Sequence, residues 1–130
     1  MKVIAHEGES TANIWGIAER MVDNSRFASM VGKYGTTMEA GGSSYTCATA
    51  GSPHKTRSMN NTALHDSEVG FWPNPEAWLA SRQTVPRLGE TWIFDESTAN
   101  GKTNEGQLFH DEWKRAVSKK SKMTALFLPW

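Results

Sequence analysis

At 130 residues the chain has the size of one domain and can bury a real core. Lys+Arg and Asp+Glu both number 14, so no overall basic field points to a nucleic-acid partner; the 38% hydrophobic and 22% charged content is near globular proportions. Cys47 stands alone, which excludes an intrachain disulfide or cysteine metal cluster and suits a reducing compartment. No apolar run reaches membrane-spanning length, and Met1 to Glu7 does not read as a secretory signal.

In chain order, Lys2-Val3-Ile4-Ala5 reads as a buried strand without a lead-in. Ser10 is placed to cap a helix whose apolar face holds Ile14, Ile17, Ala18, Met21 and Val22, fading at Asp23-Asn24-Ser25. Gly41-Gly42 predicts a turn between strands over 36–40 and 43–48. Residues 49–61 read as loop, and Thr62-Ala63-Leu64-His65 as a short strand ending in Asp66-Ser67-Glu68. Asn74-Pro75-Glu76 is a helix start (Asn as cap, Pro at the first helical position), with the helix running to about Thr84.

Thr91-Trp92-Ile93-Phe94 is the next expected strand, followed by the polar turn Glu96 to Gly101. A helix from about Glu105 to Ser118 is expected to bury Leu108, Phe109, Trp113, Ala116 and Val117, and 124–128 to close the pattern as a strand. The apolar runs so close to both ends suggest a piece of a longer protein. Alternating strands and helices argue for an α/β fold with a mostly parallel sheet, whose ligands sit beyond the carboxyl ends of the strands. Asp66-Ser67-Glu68 and Ser97-Thr98-Ala99-Asn100 fall there.

A carboxylate leaving a buried strand can hold Mg²⁺ through water or polarise an attacking water; the plainer reading is a solvated turn. The segment Gly101-Lys102-Thr103 resembles the end of a phosphate-binding loop, but that pattern demands Gly where Glu96 stands. A carboxylate there would face phosphate across a nest of amides. Gly32-Lys33 has no spaced glycine before it. His6, His54, His65 and His110 show no ligand spacing, and no Gly-x-Ser-x-Gly elbow is present. Cys47 reads as a buried inert thiol, the six tryptophans as packing residues, and the cations from Lys114 to Lys122 as a solvated helix end before a DNA contact.

The order of the segments carries a resemblance. Val3-Ile4-Ala5-His6 with its following helix, then Arg57-Ser58, then Ala63-Leu64-His65-Asp66-Ser67-Glu68-Val69-Gly70-Phe71-Trp72-Pro73 resemble the strand, Walker B and following aromatic of terminase large subunits of tailed phages. Glu96-Ser97-Thr98-Ala99-Asn100-Gly101 resembles their coupling motif, with Asn104, Phe109 and Trp113 after it, and Phe127-Leu128-Pro129-Trp130 resembles the segment leading to the nuclease domain. The likeness spans nearly the whole chain and is weakest over residues 25–50.

The resemblance implies a RecA-like P-loop NTPase fold, with residues 1–130 forming a partial motor domain without its first strand, its phosphate-binding loop or the nuclease domain. It implies that Glu68 orients the water attacking the γ-phosphate of ATP, and that Ser97, Thr98, Ala99, Asn100 and Gly101 sense the nucleotide and couple it to movement on DNA. Ser67 stands where the family has the Walker B aspartate, so the Mg²⁺ contact falls to Ser67 or Asp66. Arg57 is positioned for a phosphate, against the plainer reading of a solvated loop cation. The family further implies an ATPase and endonuclease that packages viral double-stranded DNA. It works as a homo-oligomeric ring with a terminase small subunit and the portal protein, in the host cytoplasm at the procapsid and without a membrane. The isolated chain is expected to be inactive. The alternatives are another P-loop NTPase using Gly101-Lys102-Thr103, and a non-catalytic DNA-binding or structural module.

Overall fold

The structure, a computed structural model, describes residues 1–51, 60–86, 89–102 and 104–129. Strand β1 (Lys2–Ala5) is buried along its whole length because it has a parallel partner on each side: β4 (Ser43–Thr49) and β5 (Ala63–Asp66). A strand buried on both faces explains the unbroken Val3-Ile4-Ala5 run. Beyond β5 lies β6 (Trp92–Asp95), also parallel; beyond β4 lie the antiparallel β3 (Thr37–Ala40) and β2 (Gly32–Tyr34). The result is an α/β fold with a six-stranded, mostly parallel sheet in the order β2-β3-β4-β1-β5-β6. Gly41 and Gly42 both have positive φ, 55° and 78°, which suits the two-residue turn joining β3 to β4.

Among the described residues, three helices flank the sheet: α1 (Gly8–Asp23), α2 (Pro75–Arg82) and α3 (Gly106–Val117). The register assigns the faces. Ile4, Asp66 and Asp95 form one row, Cys47, Val3, His65 and Phe94 the next, and successive rows point to opposite sides. Thr11 of α1 bonds Thr49 (2.9 Å), which shares the Cys47 face, whereas Ser81 of α2 bonds Asp66 on the opposite one. The main core lies on the α2 side: Ile4, Leu64, Val69, Trp72, Ala77, Trp78 and Val85, with Leu108 and Phe109 of α3 against it. Burying Trp72 and Trp78 removes ~200 Å² each from water, about 5 kcal/mol apiece at ~25 cal/mol/Å² before ordering entropy is subtracted.

Four expectations are corrected. Helix α1 begins at Gly8, before Ser10, because both the amide and the hydroxyl of Thr11 bond the Glu7 carbonyl and close the first turn early. Residues 124–128 form no strand: they have no ladder partner, and Leu126, Phe127 and Leu128 are 72%, 73% and 72% exposed. Val117 is exposed at the end of α3, and Trp92 does not pack in the core but stacks on Phe94 at the exposed β6 edge. The short strand β2, absent from the sequence reading, is held by its ladder to β3. Cys47 is buried, as read. No described helix is long and apolar enough to cross a membrane.

Candidate functional site

Because β5 and β6 are parallel neighbours, the chain leaves both at the same edge of the sheet, and the two polar segments meet. Glu96 N donates to the Asp66 carbonyl and Val69 N to the Glu96 carbonyl, both at 3.0 Å, so the ladder continues past the strand ends. Ser67 N donates to the Ile4 carbonyl at 2.8 Å, tying the same turn to β1. Trp72 closes it from below, its indole N–H bonding the Ser67 carbonyl at 3.0 Å.

Glu68 occupies this turn in the left-handed conformation, φ 54° and ψ 46°, immediately before a 3₁₀ turn over Val69–Phe71. A non-glycine residue there costs roughly 1 kcal/mol or more, and the surrounding bonds hold it. Its Oε2 accepts from the Thr98 amide (3.0 Å), the Thr98 hydroxyl (3.0 Å) and the Ser97 hydroxyl (3.3 Å). The two Thr98 donors, with the Ser97 hydroxyl at longer range, fix the carboxylate's direction. The same segment grips the backbone: Ser97 Oγ accepts from Gly70 N (3.0 Å) and Asn100 Nδ2 donates to the Gly70 carbonyl (2.8 Å).

Gly106, the first residue of α3, then packs against the Asn100 carbonyl so closely that a β-carbon would lie 2.3 Å from its oxygen. The Glu68 carboxylate is thus linked through Ser97–Asn100 to the start of α3. Ala99 and Gly101 extend this segment at its exposed side.

Ser67 and Asp66 part company. The Ser67 hydroxyl donates to Glu96 Oε1 at 2.6 Å, and His65 Nε2 stands 3.5 Å from the same oxygen. Those contacts, His65 first and Ser67 after it, lower the Glu96 pKa against the opposing effect of partial burial, so this half-exposed carboxylate stays ionised at neutral pH. Asp66 points to the other face, fully buried, with Oδ2 bonded by Ser81 at 2.7 Å and Oδ1 without a hydrogen bond. Burial pushes its pKa up to about 8, and the neighbouring Asp95 adds to the rise, while Ser81, Arg82 and Lys2 offset only part of it.

Asp95, its register partner, is also raised by burial against the pull of Arg82, 3.7 Å away, and of the Trp78 indole. The indole N–H faces this carboxylate without reaching hydrogen-bond geometry. Asp66 is therefore held away from Ser67, bonded to Ser81 on the other side of the sheet.

The structure brings Glu68, Ser67, Ser97, Thr98 and Asn100 together, and adds Glu96 and His65. From sequence, Glu96 opens the segment that resembles the coupling motif and argues against a phosphate loop, but has no site role; its signal is its place one residue beyond a strand parallel to that of Ser67. Arg57 lies outside the described residues, as does Thr103 of the rival loop. Helix α3 begins only at Gly106, so Lys102 is not in the first turn of a helix, where a phosphate-loop lysine belongs.

The described residues contain no group of three or more His, Cys, Asp or Glu side chains arranged for a metal. The oxygen donors near Ser67 are hard ones, and Mg²⁺ binds nucleotide sites through as few as one or two protein oxygens plus water and phosphate. An apolar groove of about 520 Å³ lies elsewhere, between α1 and the β3–β4 hairpin, lined by residues such as Ile17, Met21, Met38 and Tyr45. Comparison with models of known protein families gives no match, and no curated protein matches the chain.

Proposed function

We propose that the chain is part of an ATP-hydrolysing motor of the terminase large-subunit type, acting on viral double-stranded DNA, with Glu68 as the residue that orients the attacking water. One observation carries the reading: the Glu68 carboxylate is aimed by the Ser97–Asn100 segment rather than by its own turn. A solvated strand-end carboxylate needs no such clamp. Phosphoryl transfer demands one, because its catalysis rests on positioning and charge stabilisation.

In this reading Glu68 accepts a hydrogen bond from a water and points its lone pair at the γ-phosphate. Thr98 and Ser97 keep the carboxylate from turning away, and loss of phosphate shifts that segment and the start of α3 with it. The oxygens that would meet a hydrated Mg²⁺ are those of Ser67 and Glu96; the ion, when bound, neutralises charge on the phosphate oxygens. Asp66 keeps a structural place beneath them.

The RecA-like assignment belongs to this proposal as well. A phosphate loop must deliver ATP to the carboxyl end of β5 and β6, and β6 has a strand partner on one side only among the described residues. A further parallel strand on that open edge, carrying the loop, would set its phosphates beside Glu68. The small subunit, portal, ring assembly and nuclease activity follow from the same family resemblance.

The test uses the protein encoded with its flanking segments. Glu68→Gln there should keep ATP binding and lose turnover by at least ~100-fold, the scale of a positioned general base. Turnover that survives Glu68→Gln, or ATP binding that is lost on Lys102→Ala, would overturn the assignment.

A further inference from the structure

At the far end of α3 from Asn100, the chain makes a turn that carries Lys119, Lys120 and Lys122, beside Lys114 in the last turn of the helix. Ser118 ends the helix, and Lys119 follows at φ 56°, in the left-handed region. Lys119 N donates to the Ala116 carbonyl at 3.0 Å and Lys120 N to the Arg115 carbonyl at 2.8 Å. These two bonds form the closing pattern in which glycine is the usual left-handed residue, since a β-carbon there crowds the following carbonyl.

The turn is also fixed from outside. The Ser121 hydroxyl donates to Glu112 on α3, and Met123 N donates to Ser121 Oγ at 3.1 Å, so the segment folds back on the helix. Glu112 is the acid at hand, and its carboxylate already serves Arg115 (3.2 Å), Arg82 (4.0 Å) and Ser121. Lys114, Lys119, Lys120 and Lys122 are exposed and form no ion pair among the described residues.

A helix dipole favours cations in the last turn and accounts for Lys114 and Arg115. It does not account for a lysine in a position that favours glycine, followed by two more on a braced backbone.

We propose that this turn is a binding surface for the phosphate backbone of a nucleic-acid duplex, with Lys114, Lys119, Lys120 and Lys122 as its point charges. The turn offers nothing to read bases. Its two serine hydroxyls are committed, Ser118 to the Lys114 carbonyl and Ser121 to Glu112, so the contact is independent of sequence. A membrane surface fits less well. No apolar side chain stands between Lys119 and Lys122, and the exposed Leu126, Phe127 and Leu128 follow only beyond Met123. The surface sits ~18 Å along the helix from Gly106, so backbone contact there is mechanically continuous with the segment that holds Glu68.

The experiment is fluorescence anisotropy of a labelled 20-base-pair duplex of random sequence with the 130-residue chain, without nucleotide, over a salt series. The expected result is salt-sensitive binding whose slope falls by about 3 in the variant with Lys119, Lys120 and Lys122 all changed to Gln, with affinity at least ~10-fold lower. Lys119→Gly separates a contact from a cap: it should raise the melting temperature and still weaken binding. A raised melting temperature with unchanged affinity would overturn the proposal, as would a triple variant that binds as the parent does, no salt-dependent binding, or tighter binding to phosphatidylserine vesicles than to duplex. Duplex affinity is read without nucleotide, so failure here is distinct from failure of the ATPase reading, which shows in turnover.

Discussion

Asp66 and Glu68 are two residues apart and live in opposite surroundings. Glu68 gains three donors at the sheet edge, whereas Asp66 lies fully buried with one donor and an acidic neighbour. The linkage for Asp66 has an unusual sign. Its folded pKa is raised from 3.8 to about 8, so the native state holds a proton that the unfolded chain releases. Stability is therefore full below about pH 4, falls as pH rises through the window to about 8, and levels above it.

Asp95, raised by burial as well, acts in the same direction. We predict that urea unfolding midpoints fall between pH 5 and pH 8.5, and that Asp66→Asn, which mimics the neutral form, flattens this dependence. Equal slopes in parent and variant would contradict the account. For Thr98→Val the prediction is a loss of ~1–2 kcal/mol in unfolding free energy, the scale of a hydrogen bond to a charged group, seen as a lower denaturation midpoint. Alternation along β5 places Asp66 in line with buried Leu64, a signal present in the sequence. The clamp on Glu68 was not legible there, because it needs the parallel pairing of two strands whose first residues, Ala63 and Trp92, are register partners far apart in the chain.

Among the elements, those with local chemistry were legible. Asn74 caps α2, its side chain accepting from Glu76 N at 2.9 Å, and Pro75 opens the helix. Asn74→Ala should cost about 1 kcal/mol, read from the same unfolding curves. The Gly41-Gly42 turn likewise stands where its residues place it. Strand β2 escaped notice because three residues with Gly at the front carry no pattern of their own, only a partner. The reverse holds for 124–128: Ala125-Leu126-Phe127-Leu128 has the composition of a strand and no ladder to join. Helix α3 connects site and surface, and Gly106→Ala tests that link. A β-carbon 2.3 Å from the Asn100 oxygen must displace the Ser97–Asn100 segment, so we expect a lower melting temperature and faster amide exchange at Thr98. Unaltered exchange at Thr98 would show that α3 and the clamp are independent.

At the scale of the molecule, the sheet has two unlike margins. The β2–β3 side ends in a short antiparallel hairpin, a common way to finish a sheet. The β6 side ends in a parallel strand with Trp92 62% and Phe94 54% exposed. The mostly parallel α/β class was legible from the alternation of elements, while the strand order was not, since it depends on which edge each crossover returns to.

In the proposed function Glu68, aimed by Thr98 and Ser97, orients the water that attacks ATP. The most direct test is single-turnover ATP hydrolysis by the protein with its flanking segments, comparing the parent with Glu68→Gln at saturating ATP and Mg²⁺. We expect unchanged ATP affinity with a hydrolysis step slowed by at least ~100-fold; a hydrolysis step within a few-fold of the parent would rule out this role for Glu68.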